Sequence, residues 1–169
     1  MFDQLVTSIG LYKCETWLPL VMTKKSLTGE DNVFSFWEKF RLETLNQKIG
    51  RMVLGVHKKS SRLGVLGELG RYPVFIKGLC HVLKYFVHLN KIRNSTSIIG
   101  KAVQEMKVNN INDNSTWWGR IETIKKSLSL KYSHFSKIDI IGQEIKKCVK
   151  SKFQLFWLEK IQQTNIGAD

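Results

Sequence analysis

Apolar residues recur at helical spacing along most of the chain. Phe2, Leu5, Val6, Ile9 and Tyr12 predict a helix over residues 1–17, with Pro19 just past its end as a stop. Residues 23–33 are polar, and Thr28-Gly29-Glu30-Asp31-Asn32 reads as a loop. Over residues 34–54, Leu42, Leu45, Ile49, Met52 and Val53 share one helical face, whereas Phe36, Trp37 and Phe40 lie on another. That pattern predicts a helix packed on two sides, or one whose register breaks early. Gly55 is placed to end it. Ser60 and Ser61 are candidate N-caps for a short helix from Arg62 to Leu69, and Gly70 can close that helix in a left-handed turn. Pro73 then sits near the first position of the next helix, where its missing N–H costs nothing.

That next helix, residues 73–91, is the clearest element. At about 100° per residue, Phe75, Leu79, Val82, Leu83, Phe86 and Leu89 fall on one side, and Lys77, His81, Lys84, His88 and Lys91 form a narrow stripe opposite, with no acid among them. Ser95 or Ser97 can cap a helix from Ile98 to Val108. The polar residues 109–115 read as a linker, which suggests a thumb-like region over 1–108 and a helical extension over 109–169, or one domain throughout. Ser115 or Thr116 can cap a helix whose face is Trp117, Ile121, Ile124 and Leu128. Ser127 to His134 alternates and is compatible with a short strand. From Lys137 to Gln162, the residues Ile138, Ile141, Ile145, Cys148, Val149, Leu155 and Phe156 make one broad face, with Lys146, Lys147 and Lys150 away from it. The expected fold class is all-α, a multi-helix bundle of about six helices.

Composition narrows the class. The 169 residues carry 27 Lys and Arg against 14 Asp and Glu, a net charge of +13. With 43% hydrophobic residues the chain can bury a core, so it is not a disordered basic tail. The excess charge attracts polyanions, chiefly nucleic acid and anionic surfaces. No run of about 18 uncharged apolar residues exists; Gly78 to Leu89 is interrupted by His81, Lys84 and His88. Asp3, Lys13 and Glu15 break any secretory signal. Cys14, Cys80 and Cys148 are odd in number and far apart, which argues against a disulfide scaffold and for a reducing, intracellular compartment, nuclear or cytoplasmic. In that setting Asn94-Ser95-Thr96 and Asn114-Ser115-Thr116 are coincidental glycosylation patterns.

Candidate chemistry is sparse. Cys80 and His81 are adjacent and diverge on a helix, and His81 and His88 stand two turns apart, about 10 Å, too far to share one ion. No metal or cofactor is expected. Glu30-Asp31 reads as solvated, and there is no nucleophile elbow. Gly64 to Gly70 (GVLGELG) lacks the Gly-Lys-Ser/Thr ending of a phosphate loop and includes Glu68; close packing is the better role for its glycines. The chain does not read as a complete enzyme.

Phosphate binding is better supported. The stripe of Lys77, Lys84 and Lys91 lies opposite a core face, the layout needed to follow a phosphate backbone. Lys58, Lys59 and Arg62 precede the short helix, Arg71 follows it, and Lys125, Lys126, Lys146, Lys147 and Lys150 add further patches. Tyr72, Trp117, Trp118 and Trp157 are candidates for stacking on bases, although tryptophans at helical spacing are more often core residues.

Two blocks carry a resemblance. Phe2-Asp3, Leu5-Val6, Ile9, Leu11-Tyr12, Cys14-Glu15 and Trp17 resemble the segment just after the catalytic palm of LINE-like (non-LTR) retrotransposon reverse transcriptases. Met52-Val53-Leu54-Gly55-Val56, Ser60-Ser61 and Gly67-Glu68-Leu69-Gly70-Arg71-Tyr72-Pro73 resemble a second signature of that family, followed by Lys84-Tyr85-Phe86 and an Ile145-Lys146 to Phe153-x-x-x-Trp157 tail. Thr7 stands where the family prefers Pro, and Lys13 and Leu18 where it prefers Gly. The resemblance implies a thumb and downstream C-terminal region without palm or endonuclease, holding template–primer or element RNA. The expected partners are RNA, an RNA–DNA hybrid or duplex DNA, and no membrane. No catalytic residue transfers. The alternative is a helical protein-interaction module or a non-functional remnant, which exposure of Phe36, Trp37 and Phe40 would favour.

Overall fold

A computed structural model describes residues 7–22, 33–92, 96–110, 115–130 and 141–166. Among the described residues every regular element is helical: seven α-helices, a 3₁₀ helix at Val33–Lys39 and a short helical run at residues 7–10. The α-helices are α1 (Cys14–Val21), α2 (Arg41–Leu54), α3 (Arg62–Glu68), α4 (Val74–Ile92), α5 (Ile98–Asn110), α6 (Trp117–Ser127) and α7 (Ile141–Ile166). There are more than about six because the first two predicted helices each divide. Phe2, Leu5, Val6, the loop from Thr28 to Asn32, Ser95, residues 111–114 and residues 131–140 lie outside the described residues.

The first division falls at residues 11–13, where Lys13 takes a left-handed φ of 52°. Pro19 does not stop the helix that follows but lies inside α1. A proline there leaves the carbonyl of Glu15 without its usual N–H donor, and the Trp117 Nε1 fills the place, donating to Glu15 O at 2.8 Å. The carbonyl end of α1 is held by Arg120, whose Nη1 donates to Pro19 O and Met22 O, both at 3.0 Å, and to Leu20 O. Two side chains of α6 thus supply what α1 lacks. Arg120→Ala should lower stability by about 1–3 kcal/mol, because three helix-end carbonyls lose a charged donor; a urea midpoint unchanged from wild type would refute that role.

The second division falls at Phe40, which is extended (φ −75°, ψ 118°) between the 3₁₀ helix and α2. Phe36, Trp37 and Phe40 are all buried, so their exposure, which would have favoured the interaction-module or remnant reading, does not occur. Their rings bind the core together: Phe36 lies 5.5 Å and Phe40 5.9 Å from Phe75 of α4, and Trp37 lies 6.4 Å from Phe153 of α7.

Helix α2 is rotated by about a third of a turn from the expected face. It buries Glu43, Asn46, Gln47 and Gly50, while Leu45, Met52 and Val53 are exposed. The cause is close approach. A Cβ at Gly50 would stand 2.8 Å from Val65 of α3, so only the small, polar ridge can dock there, and Glu43 has a bonding role described below.

Helix α4 is the centre of the molecule. Eleven of its residues are buried, and α1, α2, α5 and α7 pack around it. Gly78 permits the tightest of these crossings: a Cβ there would stand 2.9 Å from Leu18 and 3.2 Å from Leu11. One continuous cluster of buried apolar residues runs from Leu11 to Phe156 and draws on both sides of residue 108. On α7, Ile145, Val149, Phe153 and Phe156 face the core, but Leu155 does not; it is 61% exposed, about 200° around the helix from Phe153.

Caps fall where hydroxyls allow them. The Oγ of Ser61 accepts from Gly64 N at 3.4 Å, that of Ser97 from Gly100 N at 3.1 Å, and the Thr116 Oγ1 from Gly119 N at 3.2 Å. Gly55 and Gly70 take left-handed φ values of 64° and 58° and close α2 and α3. The alternating stretch from Ser127 is a helix end and turn as far as Leu130, with Ser129 at φ 46°.

Candidate nucleic-acid interface

The exposed stripe of α4 does not stand alone. Its Lys77, His81 and Lys84 form one wall of a cleft of about 420 Å³. Lys146 and Lys150, one turn apart on α7, form the opposite wall, and Arg71 closes the end where the chain passes from α3 into α4. Five cations from three separate parts of the sequence therefore face one concave space. No carboxylate of the described residues lies within 4.0 Å of Lys77, Lys84, Lys146 or Lys150.

Packing fixes two of these side chains. The Lys150 ammonium lies 4.2 Å from the centre of the Tyr72 ring, a cation–π contact that holds it at the cleft edge. The stem of Lys84 lies against the first turn of α7, where a Cβ at Gly142 would meet its Cε at 3.2 Å. Cys80 lines the floor. Burial pushes its thiol up to about 11, against the opposing pull of Lys84, Lys146 and Lys150. At neutral pH the thiol is protonated, so no thiolate offsets the cations.

Glu43 lies behind the wall and escaped sequence reasoning altogether. Its Oε2 accepts from Val74 N, the first residue of α4, at 2.7 Å, and its Oε1 from Asn46 Nδ2 at 2.7 Å. Both partners line the cleft. The carboxyl acts as the N-terminal cap that Pro73 cannot supply. Burial raises its pKa above the ordinary value, more than the bonds from Asn46, Val74 and Phe75 and the charge of Lys77 lower it.

Seven of the twelve basic residues expected at a site lie elsewhere. Lys58 and Lys59 are exposed in the turn before α3. Arg62 is exposed, and its Nη1 donates to Glu38 O at 3.0 Å. Lys91, Lys126 and Lys147 are exposed but do not line the cleft. Lys125 is a correction: it is 3% exposed, pairs with Glu122 at 2.8 Å and sits 4.8 Å from the Phe86 ring centre, so it cannot meet a phosphate. Trp118 is also removed as a stacking residue, being fully buried, and Trp117 is committed to Glu15. Tyr72 and Trp157 are half-buried and line a second, apolar groove of about 220 Å³ that adjoins the cleft.

Among the described residues no group of three or more His, Cys, Asp or Glu is placed to hold a metal ion, and no helix is long and apolar enough to cross a membrane. No protein-family model, curated protein or solved structure matches the chain.

Proposed function

We propose that the protein binds nucleic acid, without regard to sequence, in the cleft between α4 and α7. The observation that carries this reading is the convergence of Arg71, Lys77, Lys84, Lys146 and Lys150 on one concave space, with no carboxylate of the described residues within 4.0 Å of the four lysines. Point charges of this kind neutralise phosphates and release their counterions, which gives affinity but no base readout. With the resemblance to LINE-like reverse transcriptases, the reading becomes a non-catalytic thumb and C-terminal fragment holding template–primer or element RNA.

Fluorescence anisotropy with a labelled oligonucleotide, titrated between low and moderate salt, tests it. Five phosphate contacts to a single strand correspond to a slope of log K against log salt near −3.5, from about −0.7 per contact. A slope near zero would exclude the cleft as a phosphate site.

One observation favours a second reading. Leu45, Met52, Val53 and Val56 are exposed on and just after α2, an apolar strip suited to a helical protein-interaction module. Size-exclusion chromatography with light scattering distinguishes the two: on this reading the chain self-associates, and Met52→Ser with Val53→Ser restores the monomer without altering nucleic-acid affinity.

A further inference from the structure

The cleft and the apolar groove beside it adjoin across a shared segment. Gly70, Arg71 and Tyr72 line both, so the short segment between α3 and α4 is the shared wall. On the cleft side of this wall stand the cations. On the groove side stand Phe153 and Trp157 of α7, with Leu63 of α3 across from them. From this arrangement we infer that the ligand is a single strand, with phosphates in the cleft and one unstacked base in the groove. The inference rests on the cleft binding nucleic acid, and it adds which form is bound and by what additional contact.

Three observations point to a base rather than an aliphatic occupant. First, the groove is walled by aromatic rings, with the Trp157 ring edge set against Gly67; a Cβ at that glycine would stand 3.0 Å from Trp157 Cζ2. A planar ligand laid on Trp157 has a π-face to meet. Second, the groove has a polar rim. Gln154 Nε2 donates to the Tyr72 hydroxyl at 2.9 Å, and both groups lie at the surface where a base edge would pass. Third, the apolar groove is flanked by cations: Arg71 lines it, and Lys150 covers the face of Tyr72 turned to the cleft. A base attached to a phosphate satisfies the apolar and the cationic half together, which an aliphatic peptide would not.

Size supports a single strand. A cleft of 420 Å³ has the dimensions of a small-ligand pocket, whereas in a duplex the bases are stacked inward and cannot enter a side groove without flipping. Duplex nucleic acid can meet the outer cations but leaves the groove empty.

The test uses the full chain and three oligonucleotides of equal length and label: a thymidine tract, the same tract with abasic sites throughout, and a duplex. Anisotropy at moderate salt should show the thymidine tract binding roughly tenfold more tightly than the abasic tract. The duplex should bind no better than the abasic strand. Trp157→Ala should abolish the difference between thymidine and abasic tracts. Trp157→Phe, which keeps a stacking face, should preserve the difference but remove most of the tryptophan quenching that the thymidine tract produces. Equal binding of thymidine and abasic tracts by the wild-type chain overturns the base subsite and leaves the cationic cleft standing. Equal, salt-insensitive and negligible binding of all three overturns the cleft as well.

Discussion

Changing Lys77, Lys84 and Lys146 together to glutamate is expected to lower single-strand affinity roughly a hundredfold at physiological salt. Each lost contact removes about 0.6 of a decade at that salt, from a release of about 0.7 counterion per phosphate, and charge reversal adds repulsion. The slope of log K against log salt should fall in magnitude by about 2. These three are chosen because no carboxylate of the described residues lies within 4.0 Å of them, and Lys84 and Lys146 are exposed while Lys77 is half-buried. Lys150 is left in place because its ammonium packs on Tyr72, and Arg71 because it walls both the cleft and the groove. The control is a second triple reversal, Lys58, Lys59 and Lys147 to glutamate, which makes the same change in net charge away from the cleft. If net charge alone drives binding, the two triples will be equally weak. If the cleft drives it, the control should keep most of the affinity and most of the slope. Far-ultraviolet circular dichroism should be alike for both, since all six side chains stand off the core.

Helix α4 shows how much of this was legible in the sequence. Its apolar face and its basic stripe follow directly from period, because the helix is long, uninterrupted and central, so local pattern and tertiary burial agree. The caps at Ser61, Ser97 and Thr116 and the left-handed closures at Gly55 and Gly70 were legible for a similar reason, since each is a local device. The cleft was only half legible. Lys146 and Lys150 share a helical face by their spacing, but nothing local says that this face turns toward Lys77 and Lys84, which lie more than sixty residues earlier.

The buried face of α2 was misplaced because period assigns burial to the greasy face, while its docking is set by Gly50 against Val65 and by a carboxyl that bonds a distant helix end. The cost of that choice is visible. Both polar atoms of the Gln47 amide are buried without a hydrogen-bond partner among the described residues, and Leu45, Met52 and Val53 are exposed. Pro19 misled for a related reason. The proline inside this short helix leaves one carbonyl without its usual donor, and Trp117, a hundred residues away, supplies a replacement.

The second large effect is expected at Glu43. Glu43→Ala should cost about 2–4 kcal/mol, because the Val74 N–H and the Asn46 amide both lose their acceptor inside the protein. Glu43→Gln should behave differently. Its amide oxygen can accept from Val74 N, and the Asn46 amide can turn to pair with the remaining NH₂. The comparison has a definite pH dependence. Burial raises the folded-state pKa of Glu43 above the ordinary value of 4.5. The folded protein therefore keeps this proton at pH values where the unfolded chain has released it, and folding takes up a proton in that window. The contribution is fully present below pH 4.5 and is lost as pH rises through the raised value. Urea titrations should find Glu43→Gln close to wild type at pH 4 and gaining on it as pH climbs toward neutrality, whereas a constant gap between the two across that range would refute the burial account. The same carboxyl connects stability with binding. Asn46 and Val74, its two partners, line the cleft, so an ionised Glu43 would set a negative charge directly behind Lys77. Glu43→Gln should therefore bind a single strand at least as tightly as wild type above neutral pH, and weaker binding by this variant would show that the carboxyl supports the site through its charge rather than through its hydrogen bonds.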